Sequence, residues 1–239
     1  MRDPATIRAI LFDKDGTLLD YEKTWGAINR DAAVLAARGD AALMTRLLAI
    51  GGVDPVSGLT RANSLLAAGN TREIAQAWVE AGSPYGTPEL TAALDALFTQ
   101  SATRAVPVTD LGALFRRLTE RGLILGIASS DSEAAIRATL RMFGLSDYVR
   151  CAIGYDSGHG SKPEPGMLLG FAAAIGIAPA EIAVVGDNLH DMEMARAGGA
   201  GLRISVLTGT GRRETLAAAA DLCMPSIADL EKALFREMA

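Results

Sequence analysis

The sequence predicts an α/β protein, a parallel sheet covered by helices with an all-helical subdomain inserted after the first strand. Three observations carry this. Short continuous apolar runs alternate with helix-length amphipathic segments from about residue 108 onward, and runs that are apolar throughout suit strands buried on both faces. One further apolar run, residues 7–12, stands well ahead of that series. Between them, residues 19–107 hold helical patterns and no convincing strand, and a structureless loop of that length would be implausible in a compact domain.

Taken in order, residues 7–12 read as the first strand, and helices follow at 25–37, 41–50, 60–67, 71–80 and 89–100. The second series runs strand 123–128, helix 132–143, strand 151–153, helix 165–175, strand 182–185, helix 189–197 and strand 202–206, with a last helix at 227–238. Gly122, Gly144, Gly176 and the glycines of 198–201 follow helical segments, where a left-handed C-cap is wanted. The expected division is a core of 1–18 and 108–239 with a helical subdomain of 19–107. Its connections near 18–20 and 105–107 are hinge candidates.

Composition narrows the function. The 239 residues are 49% hydrophobic, which suffices for a full core, and carry a net charge of -5 without a dense Lys/Arg tract. That excludes the electrostatic footprint of a nucleic-acid binder and leaves small anionic ligands open, given a locally basic site. Cys151 and Cys223 lie far apart in apolar stretches, as buried thiols of a reducing compartment do. No apolar stretch reaches membrane-span length, and residues 7–12 are too short for a secretion signal. A cytoplasmic protein is expected.

Four motifs carry the chemistry. Asp13-Lys14-Asp15-Gly16-Thr17 closes the first apolar run. Carboxylates two apart on a regular strand point the same way and repel unless a cation or shared proton compensates, while Lys14 would point the opposite way. Gly16 permits a sharp turn and Thr17 offers a hydroxyl to an anionic oxygen. An ordinary Asp-Gly turn would give the same letters without chemistry. In Gly186-Asp187-Asn188-Leu189-His190-Asp191 a second strand tip runs into a helix. Asp187 and Asp191 could face one point, or Asp187 could be a plain N-cap. If all four carboxylates converge a cation is required, and Mg²⁺ takes carboxylates, water and phosphate.

Ser129-Ser130-Asp131 ends the run 123–128 before a helix. It offers an anion cradle or, taken singly with more weight, a helix cap. In Gly160-Ser161-Lys162-Pro163-Glu164-Pro165 one lysine precedes two prolines, where it could neutralise phosphate and crowded carboxylates. His159 and His190 make neither a zinc site nor a triad, and no role is assigned to them.

In this order the four motifs resemble the haloacid dehalogenase superfamily over essentially the whole chain, and the helical insertion resembles the cap of its phosphoglycolate phosphatase-like branch. The resemblance implies a Rossmann-like core with strand order 3-2-1-4-5. It implies a Mg²⁺-dependent phosphatase for a small phosphorylated metabolite, phosphoglycolate being the substrate of the branch's name. Asp13 would be the nucleophile forming an aspartyl-phosphate, and Asp15 the general acid and then base. Thr17, Ser129, Ser130 and Lys162 would hold phosphate oxygens, with Lys162 restraining Asp13. Asp13, Asp15 through its carbonyl, Asp187 and Asp191 would form the metal site.

Two residues depart from the pattern. Ser130 stands where the branch often has Asn, and Lys14 where it often has an apolar residue. A phosphoglucomutase-like phosphotransferase is the competing enzyme reading, with Arg46 and Arg61 as possible cap charge. A non-catalytic binding protein on the same fold is the third reading, and dehalogenation is disfavoured because a halide needs no acid at position 15.

Overall fold

The structure, a computed structural model, describes residues 6–235. Its centre is a six-stranded, wholly parallel sheet in the order β3-β2-β1-β4-β5-β6. The strands are β1 (Ala9–Phe12), β2 (Ile124–Ala128), β3 (Val149–Ile153), β4 (Ile182–Gly186), β5 (Leu202–Val206) and β6 (Leu222–Met224). The five-strand order implied by the resemblance is present, and β6 adds an edge strand that the short run around Cys223 did not announce.

Period-two alternation gives β1 its two packing faces. Ile10 and Phe12 enter one apolar cluster with Leu114, Phe115 and Leu118 of α6 (Leu111–Glu120). Ala9 and Leu11 enter the opposite cluster with Met167, Leu168 and Phe171 of α8 (Gly166–Ile175). Every residue of β1 is buried, so the strand is fixed on both sides. Its last residue pairs with Ile127 and Val185, which aligns the ends of β2, β1 and β4. The chain leaves β1 toward β2 on one side and returns as β4 on the other, and this switch point is where open α/β sheets take ligands. The helices α7 (Glu133–Met142), α9 (Leu189–Ala197), α10 (Arg213–Ala219) and α11 (Leu230–Leu234) complete the two layers.

Five helices separate β1 from α6: α1 (Tyr21–Ala36), α2 (Ala41–Gly51), α3 (Leu65–Ala68), α4 (Thr71–Glu80) and α5 (Thr87–Gln100). Asp20, Asp40 and the Asn70/Glu73 capping box start three of them. They share a cluster of their own around Trp78, Leu47, Leu90 and Leu94. The two connections pair with each other: Asp20 N donates to Val106 O at 2.9 Å and Val108 N to Leu18 O at 3.0 Å.

Three readings change. The helix expected at 60–67 is only α3, because Thr60 bridges to Val53 and Asn63 adopts a left-handed φ of 56°. The helix expected at 227–238 is a 3-10 turn, Ile227–Asp229, followed by α11, and its end lies outside the described residues. The helices α6 and α10 were not anticipated, although Asp110 caps α6 by accepting from Ala113 N.

Candidate active site

The ends of β1 and β4 and the start of α9 bring three carboxylates together. One oxygen each from Asp13, Asp187 and Asp191 lies within 4.8 Å of the others, and all three residues are buried. Lys162, from the loop before α8, reaches between them. Its Nζ is 2.6 Å from Asp13 Oδ1 and 2.6 Å from Asp191 Oδ1. Asp191 is aimed by its place in the α9 capping box, where its Oδ2 accepts from Asn188 N at 3.1 Å. Asn188, not Asp187, is therefore the N-cap, and the bland reading of Asp187 falls away. The Asp187 carboxylate instead accepts from Thr210 N at 3.0 Å and lies against the backbone of Gly16 and Gly209, where a Cβ on either glycine would occupy its space.

Three carboxylates sharing one ammonium is an unbalanced buried charge. Burial, with Asp191 nearby and Lys162 opposing, pushes Asp13 up to about 6. Burial and the Asp13 and Asp191 charges push Asp187 well above the usual carboxylate range. Burial acts the same way on Asp191, but Lys162 and His190 hold it below its ordinary value. Asp13 Oδ2 is buried and makes no hydrogen bond among the described residues. A set of hard oxygen donors with an orphaned oxygen and surplus negative charge fits a divalent cation such as Mg²⁺.

Asp15 does not join this cluster. β1 ends at Phe12, and the chain turns at once, with Leu18 N donating to Lys14 O and Gly16 N to Leu19 O. Strand alternation therefore stops before residue 13, and four carboxylates do not converge. Asp15 Oδ1 accepts from Trp25 Nε1 at 2.7 Å, and its other oxygen pairs with Lys14 Nζ. Lys14 does not point away as strand geometry required. It is buried, pairs also with Asp131 at 2.9 Å, and lies 5.5 Å from the centre of the Trp25 ring. Burial would lower its pKa, but Asp131 and Asp15 raise it above its ordinary value.

The hydroxyls divide. Ser129 Oγ accepts from Asp131 N at 3.1 Å and keeps its own proton to donate. Ser130 Oγ donates to Ala68 O of α3 at 3.2 Å and so ties the core to the insertion. Neither Ser130 nor Asp131 caps α7, since Ser132 does. Thr17 is buried and its hydroxyl makes no hydrogen bond among the described residues, but it does not line the cavity.

That cavity has room of about 50 Å³ for the centre of a water-sized sphere. Asp13, Asp15, Ser129 and Asp187 line it, together with Tyr21, Trp25, Asn29 and Phe98 of the insertion. These four were missed in the sequence. The signal was available: Tyr21, Trp25 and Asn29 recur every four residues, one stripe of a helix that begins six residues after Asp15. His190, given no role, also lines the cavity, with Nε2 at 3.5 Å from Asp191 Oδ1 and its pKa lowered by burial. Arg46 and Arg61 do not line it, and Arg61 is turned to the carbonyls of Gly52 and Ala49.

The model of the haloacid dehalogenase-like hydrolases matches residues 7–199, and the chain belongs to that family. Phosphoglycolate phosphatase of Xylella fastidiosa strain Temecula1 is 31% identical over 195 residues, spanning 80% of this chain and 77% of that protein. N-acetylmuramic acid 6-phosphate phosphatase of Pseudomonas aeruginosa is 28% identical over 193 residues, spanning 81% and 79%. A solved hydrolase from Pseudomonas syringae superposes with a TM-score of 0.71 at 20% identity, covering 96% of this chain and 98% of that one. At that identity the likeness is one of fold. Family and relatives together make the chain a phosphoric monoester hydrolase of the phosphoglycolate phosphatase-like branch. No helix among the described residues is long and apolar enough to cross a membrane.

Proposed function

We propose that this chain hydrolyses a small phosphomonoester through an aspartyl-phosphate on Asp13, with Mg²⁺ as cofactor. The observation that carries the reading is Lys162 holding one oxygen of Asp13 while the other is buried and free, beside Asp187 and Asp191. Asp13 Oδ2 attacks phosphorus and the ester P–O bond breaks. Asp15 gives a proton to the leaving alcohol, then takes one from the water that cleaves the acyl phosphate and frees Asp13. Lys162 and the Ser129 hydroxyl donate to phosphate oxygens, with Ser130 supporting its loop through Ala68 O. Asp13, the Asp15 carbonyl and Asp187 would hold Mg²⁺, with Asp191 supporting that shell, and the ion would supply charge neutralisation for phosphoryl transfer.

In this reading residues 19–107 act as a cap on a core of 1–18 and 108–239, and the paired connections at 18–20 and 105–107 are its hinge. The free cysteines Cys151 and Cys223 suit a cytoplasmic setting. Names among the relatives differ in the alcohol they specify, so they support a phosphomonoester and leave the leaving group to the cap. The test is phosphate release from 4-nitrophenyl phosphate. Turnover is expected with Mg²⁺, with a loss of roughly a thousandfold or more in EDTA or in Asp13→Asn. Equal rates in all three would overturn the reading.

A further inference from the structure

The cavity wall supplied by the insertion says what kind of alcohol leaves. Tyr21, Trp25 and Phe98 give it aromatic surface, with the Trp25 and Phe98 rings edge to face at 5.0 Å. Asn29 is its most polar member. It is 2% exposed, and among the described residues its amide oxygen completes no hydrogen bond. The neighbouring Tyr21 hydroxyl gives its proton to Leu66 O at 2.7 Å, so its oxygen can accept from the Asn29 amide nitrogen but has no proton left for the amide oxygen. A buried amide oxygen without a donor is a cost unless a ligand satisfies it.

The second observation is the sign of the wall. No Lys or Arg among the described residues lines the cavity, whereas Asp13, Asp15, Asp131 and Asp187 all do. Both nearby lysines are already shared, Lys14 between Asp15 and Asp131 and Lys162 between Asp13 and Asp191. The imidazole on the wall, His190, sits beside Asp191. A carboxylate on the alcohol portion of a substrate would enter a space lined by acids, with no Lys or Arg among the lining residues to meet it.

We infer that the substrate is the phosphate ester of a small neutral hydroxylated alcohol, its hydroxyl paired with the Asn29 amide and its carbon face laid on Trp25 and Phe98, and that esters of hydroxy acids such as phosphoglycolate are disfavoured. This rests on the phosphatase reading and names its substrate class. A hydroxyl can donate to the open amide oxygen, which a carboxylate cannot, and the aromatic rings cover carbon without demanding charge.

The test compares esters that differ by one group. Phosphoglycolate and 2-hydroxyethyl phosphate exchange a carboxylate for a hydroxymethyl, and ethyl phosphate lacks the hydroxyl. With Mg²⁺, kcat/KM is expected to be at least about tenfold higher for 2-hydroxyethyl phosphate than for either of the others, the size of one well-made polar contact. Asn29→Leu should abolish the preference over ethyl phosphate, and Asn29→Arg should turn the first comparison toward phosphoglycolate. Phosphoglycolate turned over as well as or better than 2-hydroxyethyl phosphate by the unaltered enzyme would overturn this inference alone, whatever the variants do. Release from none of the esters, 4-nitrophenyl phosphate included, would overturn the phosphatase reading and this inference with it.

Discussion

Lys14 is the residue whose replacement separates holding an acid from being one. In the structure its side chain is 4% exposed and bridges Asp15 and Asp131, of which Asp15 also takes the Trp25 indole proton. Lys14→Met keeps much of the volume and removes the charge, so two carboxylates are left facing each other in a buried site. Breaking a buried pair in this way costs about 3–5 kcal/mol, and for a domain of this size roughly 2–4 °C is lost per kcal/mol. A melting temperature lower by about 10 °C is expected by differential scanning calorimetry.

The kinetic effect should depend on the leaving group. General acid catalysis is worth roughly 10²–10⁴ where an alkoxide must be protonated, and little where the leaving group is already stable as an anion. With Asp15 loosened, kcat/KM for an alkyl phosphate is expected to fall about 10- to 100-fold and that for 4-nitrophenyl phosphate no more than about threefold. The ratio of the two, measured below the melting transition, is insensitive to the fraction folded. An equal fall for both esters would refute the assignment of Lys14 as the residue that positions Asp15, and an unchanged melting temperature would refute the energetics.

Two further outcomes follow from the same geometry. Burial raises Asp13 to about 6 and also raises Asp187 well above the usual range, so their protonation stabilises the metal-free fold below about pH 4, and for Asp13 that contribution is lost as pH rises through about 6. The rise in melting temperature on adding Mg²⁺ after EDTA should therefore be larger at about pH 8 than at about pH 5, and equal rises would count against a cation shared by these acids. Gly16 has φ 86°, and its missing Cβ leaves room for the Asp187 carboxylate. Gly16→Ala should cost about 1–2 kcal/mol in backbone strain and raise the Mg²⁺ concentration for half-maximal activity about tenfold or more, read by titration, and an unchanged titration would refute the close approach.

Much of the sheet was legible because its strands are continuous apolar runs, and β5 and α9 fall where periodicity put them. The site was legible where residues lie at strand tips or helix starts, as Asp13, Ser129, Asp187 and Asp191 do. It failed where backbone geometry changes within one residue. Strand alternation was carried past Phe12 into a turn, which misdirected Lys14 and put the Asp15 carboxylate in the cluster of Asp13, Asp187 and Asp191. Edge strand β6, three residues long with two of them partly exposed, has too little pattern to read. Asn29 and the rings around it were missed because a helix stripe shows which residues share a face, and only tertiary packing says what that face meets.

The first turns of α1 follow the Asp13 loop directly, so in the proposed reading recognition and reaction are written on adjoining stretches of chain. Tyr21, Trp25 and Asn29 can be exchanged as a small cassette while the acids and Lys162 keep their own anchors in β1, α9 and the loop before α8. Trp25 is the exception, since its indole also grips Asp15. Engineers seeking a new ester should therefore vary positions 21 and 29 first, and expect any change at 25 to slow the chemistry along with altering taste.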